Sequence, residues 1–181
     1  MSSPDVPTPL FFHVANDALT VFRRLLDALR ADVESIHGYV NQHPIDQAMR
    51  RAFVRSCWGY FEGSTFGLAH YVGTVEDLTS SKHDKRPDDG ERTLDSLKLT
   101  LKWCTSDRLT PGWAPAFGVL GWKAVQKSFV VRNRLMHPKR AETFVVSDED
   151  LTVTRDALLW FTKSMSDILE RALKAVEEYK P

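Results

Sequence analysis

The sequence predicts an all-α protein, an antiparallel bundle of four to five helices. Three observations carry this. Apolar residues recur at spacings of three and four through most of the 181 residues, the period of a helix with one buried stripe. Pro, Gly and Ser/Asp signals break the chain into helix-length pieces. No stretch alternates apolar and polar residues long enough for a strand, and Phe144-Val145-Val146 is too short to count.

Residues 1–15, with Pro4, Pro7 and Pro9, read as a flexible N-terminal lead-in. Residues 16–181 read as a single helical-bundle domain, the natural size for one core. The first helix is expected to open at Asn16 as N-cap, with Asp17 in its first turn. Leu19, Phe22, Leu26, Leu29, Val33 and Ile36 form its stripe, and Gly38 is the expected stop. The second helix is expected to begin at Pro44, a favoured first position, and to run to about Leu78. Gly59, Gly63 and Gly67 lie along one of its faces. Each glycine costs a helix up to about 1 kcal/mol relative to alanine, so the spacing points to tight packing in the bundle, a dimer contact or a kink.

Residues 81–92 (SKHDKRPDDGER) read as a long exposed loop, in which His83, Lys85 and Arg86 are either solvated or in contact with RNA. A shorter third helix follows from Glu91 to about Thr105, then a turn over Thr110, Pro111, Gly112 and Pro115. The fourth helix is expected from about Pro115 to Leu135. A connector (Lys139–Val146) leads to Ser147 as N-cap, and Glu149 and Asp150 place acid in the first turn of a last helix ending near Tyr179.

Composition narrows the function. With 43% apolar and 10% aromatic residues the chain can bury a sizeable core. Lys plus Arg is 24 and Asp plus Glu is 24, which argues against a dedicated high-affinity nucleic-acid binder. Cys57 and Cys104 sit among apolar residues without metal spacing, as small core residues of a reducing compartment. The N-terminus lacks the basic start and apolar run of a signal peptide, and no stretch is apolar enough to span a membrane. A cytoplasmic protein is expected. One Glu-x-x-His set (Glu34, His37) is present, and His70 and Glu76 do not complete a second, so no metal or cofactor is expected.

The most informative stretch is Arg132-Asn133-Arg134-Leu135-Met136-His137-Pro138. Arg stays charged and holds phosphate with a planar fork of donors. His moves protons near neutrality. Pro138 cannot continue a helix and pushes His137 out of helical geometry, which would let the imidazole turn back toward Arg132. From Arg108 to Ala141 there is no Asp or Glu, whereas acids outnumber bases from Glu142 onward. Positive charge is thus gathered around Arg132 and His137, either for an anionic ligand such as phosphate or for pairing against the acids of the last helix. Arg132 and His137 themselves are either catalytic or simply bound to the last carbonyls of their helix. Asn133 could position the His or a phosphate, or cap the helix end. Leu135 and Met136 read as core. Glu62, amid small and aromatic residues, needs a partner if buried. Arg132 or a neighbouring Arg is the obvious one, in a structural salt bridge; the alternative is that Glu62 acts as a general base.

Arg-Asn-x-x-x-His-Pro between two amphipathic helices resembles the HEPN superfamily of small helical proteins, many of them metal-independent endoribonucleases. The likeness covers roughly the last 70 residues, with weaker support from the first two helices. It implies RNA cleavage by the 2′-hydroxyl, leaving a 2′,3′-cyclic phosphate and a 5′-hydroxyl. It assigns proton transfer to His137, electrostatic stabilisation to Arg132 and support to Asn133, with Glu62 accessory. Lys127, Arg134, Lys139 and Arg140 would contact the RNA backbone. The resemblance further implies a homodimer with a composite site and a role as toxin or defence effector, with an antitoxin or nucleotidyltransferase as candidate partner. The alternative is a non-catalytic HEPN-like bundle that binds a nucleotide, an RNA or a protein.

Overall fold

The computed structural model describes residues 8–79, 93–105, 110 and 113–178. They form α1 (Thr8–Gln42), α2 (Gln47–Thr79), α3 (Thr93–Trp103), α4 (Leu120–Met136), a short 3-10 helix (Ala141–Phe144) and α5 (Asp148–Glu177). No strand occurs among the described residues, so the protein is an all-α bundle. None of its helices is long and apolar enough to cross a membrane, among the described residues. Residues 81–92, expected as an exposed loop with His83, Lys85 and Arg86, lie outside the described residues, as do residues 1–7, Arg108, Pro111, Gly112 and Tyr179.

Several boundaries differ from the sequence reading. Helix α1 starts at Thr8, not at Asn16, so residues 8–15 of the expected lead-in are helical. Pro9 falls in the first turn, where its missing N–H has no helical partner to lose. Gly38 does not stop the helix, which continues to Gln42. Helix α2 starts after Asp46, not at Pro44: the Asp46 carboxylate accepts the N–H groups of Ala48 (2.8 Å) and Met49 (3.2 Å), so a side-chain cap sets the boundary. Helix α3 covers Thr93–Trp103 and α4 begins only at Leu120, both shorter than expected.

The chain falls into two compact units. The first comprises Met1–Leu26, Gly63–Pro115 and Met165–Pro181. Its core holds Leu19, Phe22, Leu68, Tyr71, Leu97, Leu101, Cys104 and Ile168, all essentially inaccessible. Phe22 stacks on Tyr71 with ring centroids 6.2 Å apart. Burial pushes the Tyr71 hydroxyl well above the usual phenol range. Gly67 shows the close approach expected: a Cβ there would stand 2.7 Å from Leu25 Cδ2 and 3.1 Å from Phe22 Cδ2. Gly59 faces open space.

The second unit comprises Asp27–Glu62 and Ala116–Ser164. The short connector 43–46 makes its α1 and α2 segments antiparallel neighbours. An aromatic cluster forms its centre: Phe61 lies 4.6 Å from Phe161 and 5.1 Å from Trp58, and Tyr60 lies 5.4 Å from Phe161. Trp58 donates its indole N–H to the buried Ser128 hydroxyl at 2.9 Å, which ties α2 to α4. Cys57 is fully buried here, as Cys104 is in the other unit.

Candidate functional site

Every residue of the Arg132 site belongs to the second unit. Helix α4 buries Trp122, Ala124, Val125, Ser128, Val131 and Leu135. That face fixes the rotation of the helix and so brings Arg132 over α2. There the Arg132 guanidinium meets Glu62: Nη2 donates to Oε1 at 2.7 Å. On its other side Nη1 donates to Asn133 Oδ1 at 3.1 Å. The Arg132 side chain is 20% exposed and that of Glu62 is 39% exposed. A half-buried guanidinium held on both edges cannot swing as a free surface arginine does. Two of its donors are occupied, and the remainder of the fork is left for an acceptor. Asn133 therefore orients Arg132 rather than His137 through its side chain. Its backbone carbonyl accepts the His137 N–H at 3.0 Å, closing the last turn.

Helix α4 ends at Met136, and His137 is its C-cap with φ −128° and ψ 62°. Pro138 thus acts as anticipated, driving the residue before it out of helical geometry. The imidazole is exposed and makes no hydrogen bond or ion pair among the described residues. Arg132 and His137 are presented from the same helix end but are not bonded to each other. Leu135 is buried, whereas Met136 is 48% exposed and is not core, because the helix turns its last side chain toward solvent.

The chain beyond His137 is anchored from two directions. Arg134 does not offer a free cation: Nη2 donates to Asp150 Oδ2 at 2.6 Å and to the Val145 carbonyl at 3.1 Å. Asp150 also accepts the Ser147 N–H at 2.8 Å, and the Ser147 hydroxyl accepts the Asp150 N–H at 3.1 Å. This reciprocal cap starts α5 as the sequence indicated. Burial raises the Asp150 carboxyl, but its bonds from Arg134 and from the Ser147 amide and hydroxyl outweigh that and hold it below the usual range. From α2, Gln47 brackets Val146, accepting its N–H at 2.8 Å and donating to its carbonyl at 3.2 Å. The buried Arg50 donates to the same carbonyl at 2.8 Å and pairs with Asp148 at 2.6 Å. The guanidinium of Arg51 lies 5.7 Å from the Phe144 ring centroid.

Sequence reasoning missed this clamp of Gln47, Arg50 and Arg51. Their spacing on the first turns of α2 marks a polar face but not its partner. Lys127, Lys139 and Arg140 are exposed and make no ion pair among the described residues. Arg134, grouped with them on charge alone, is instead part of the clamp. No protein-family model, curated protein or solved structure matches this chain.

Proposed function

We propose that this chain is a metal-independent endoribonuclease of HEPN type, acting on RNA as a cytoplasmic homodimer. The observation that carries the reading is the fixing of Arg132 by Glu62 and Asn133 at the helix end that presents an exposed His137. In this scheme an imidazole takes the proton of a ribose 2′-hydroxyl as its oxygen attacks the adjacent phosphorus. The bond from phosphorus to the 5′-oxygen breaks, and that oxygen receives a proton. A second His137, from the other subunit, serves as that acid, and a 2′,3′-cyclic phosphate remains. Arg132 stabilises the charge that builds on the non-bridging oxygens. Glu62 and Asn133 are positioning residues, since they act through Arg132. Such an enzyme fits a toxin or defence effector restrained by an antitoxin or nucleotidyltransferase.

A specific observation favours a second reading. The Arg132 charge is already balanced by Glu62, as in a structural pair. On that reading the protein is a binding module for a nucleotide, an RNA or a protein. The test is cleavage of labelled RNA in EDTA by wild type, Arg132→Ala and His137→Ala. Cleavage by wild type alone, with cyclic-phosphate ends, is the expected result. No cleavage by folded, dimeric wild type, or undiminished cleavage by folded His137→Ala, would overturn the enzymatic reading.

A further inference from the structure

Away from Arg132, the second unit contains a cavity of about 290 Å³. Val33 and His37 on α1, Tyr60 on α2, and Arg155, Leu158 and Leu159 on α5 line it. The helix faces meet there without filling the space between them, and the walls are mainly apolar. Apolar walls left facing water in such a pocket are stabilised when an apolar group covers them. The volume stands near the lower end for small-molecule sites.

The charges around the cavity are unequal. Arg30 is spent on Glu34, one turn along the same helix, at 2.6 Å. Arg155 is different. Its Nε donates to His37 Nε2 at 3.2 Å and its Nη2 to Asn41 Oδ1 at 2.9 Å. Both acceptors are neutral, and no carboxylate lies within ion-pair distance of Arg155 among the described residues. His37 must be unprotonated at Nε2 to accept that bond. Its ring is held against Phe53, with centroids 5.0 Å apart. Burial, and then the Arg155 charge, lower its proton affinity. His37 and Asn41 thus aim a guanidinium whose charge is uncompensated, beside an apolar cavity, with part of its fork unused.

We propose that this cavity is a binding site for a small amphipathic acid, whose apolar body fills the space beside Val33, Tyr60 and Leu158 and whose carboxylate pairs with Arg155. The site is independent of the Arg132 site and of the reaction proposed there.

The test uses naphthalene-2-carboxylate and the uncharged naphthalene-2-carboxamide as probes, titrated calorimetrically into the full chain. The acid is expected to bind one-to-one, at least about tenfold tighter than the amide. Arg155→Met should abolish that preference while leaving amide binding intact, and Arg155→Lys should retain part of it. Leu158→Trp, which fills the cavity, should remove binding of both probes. Circular dichroism confirms that each variant is folded. Equal affinity for acid and amide, a preference that survives Arg155→Met, or no binding by folded wild type up to about 1 mM would overturn the proposal.

Discussion

Replacing Asp150 with Ala should loosen the segment that follows His137, and the structure sets the size of the effect. Two losses combine. The carboxylate half of the reciprocal cap disappears, leaving the Ser147 N–H without its acceptor while the Ser147 hydroxyl still accepts the N–H of residue 150, which costs about 1 kcal/mol. Arg134 loses its 2.6 Å partner, and its Nε is buried without an acceptor. The Arg134 side chain is 37% exposed while that of Asp150 is 15% exposed. Solvent therefore screens the pair in part, and about 1–2 kcal/mol is the appropriate range between surface and buried limits. Together the change should cost about 2–3 kcal/mol and lower Tm by about 4–12 °C for a chain of this length. Thermal unfolding followed by circular dichroism reads this directly. Repeating Asp150→Ala in an Arg134→Met background separates the two parts. The cap loss should persist, and the remaining effect should shrink by about 1 kcal/mol. An identical Tm change in both backgrounds would refute the coupling of Arg134 to Asp150. The pH dependence follows from the same contacts. The folded carboxyl titrates below its unfolded value, so its stabilisation is complete above about pH 4 and lost as pH falls through the folded pKa. Asp150→Asn should lack that acid-side loss.

Three further outcomes are expected. Gly67→Ala should destabilise by up to about 2 kcal/mol, since its Cβ would press on the end of Leu25 and on the buried Phe22 ring, a cost that outweighs the helix-propensity gain of about 1 kcal/mol. Gly59→Ala, facing open space, should stabilise by up to about 1 kcal/mol through helix propensity, and denaturant melts compare the two. His37 has a folded pKa below its unfolded value, so stability should be full above about pH 6.5 and decline as pH drops below it. His37→Gln should flatten that decline in denaturant midpoints measured across the range.

The bundle was legible because its determinants are local. Leu19, Phe22, Leu26 and Val33 all fall in the core, as one apolar stripe must when it meets a partner. The boundaries were less legible because they are set by competition between signals. Asn16 is a good N-cap by type, yet nothing in residues 8–15 breaks the helix before it. Gly38 costs a helix only about 1 kcal/mol, too little to end one anchored by Val33 and Val40 on either side. Pro44 was outweighed by Asp46 two residues later, whose carboxylate satisfies two otherwise orphan amides.

The site divides along the same line. The Glu62–Arg132 pair was readable because a carboxylate amid aromatic residues creates a demand, and the neighbouring motif holds an obvious supply. The fate of Arg134 was not readable, because charge counting treats every cation as available, whatever its partner across a connector. That distinction changes what RNA binding should look like if the proposed activity holds. With Arg134 committed to Asp150 and Arg132 shared with Glu62, Lys127, Lys139 and Arg140 remain as backbone contacts in each subunit. For a single-stranded RNA each phosphate contact contributes about −0.7 to the slope of log K against log salt, so three contacts give about −2 per subunit and four give about −3. Neutralising Lys127, Lys139 or Arg140 should each lower the slope by one such step, whereas Arg134→Met should leave it unchanged and act on stability alone. A reduced slope for a folded Arg134→Met protein would show that the arginine leaves Asp150 when RNA binds.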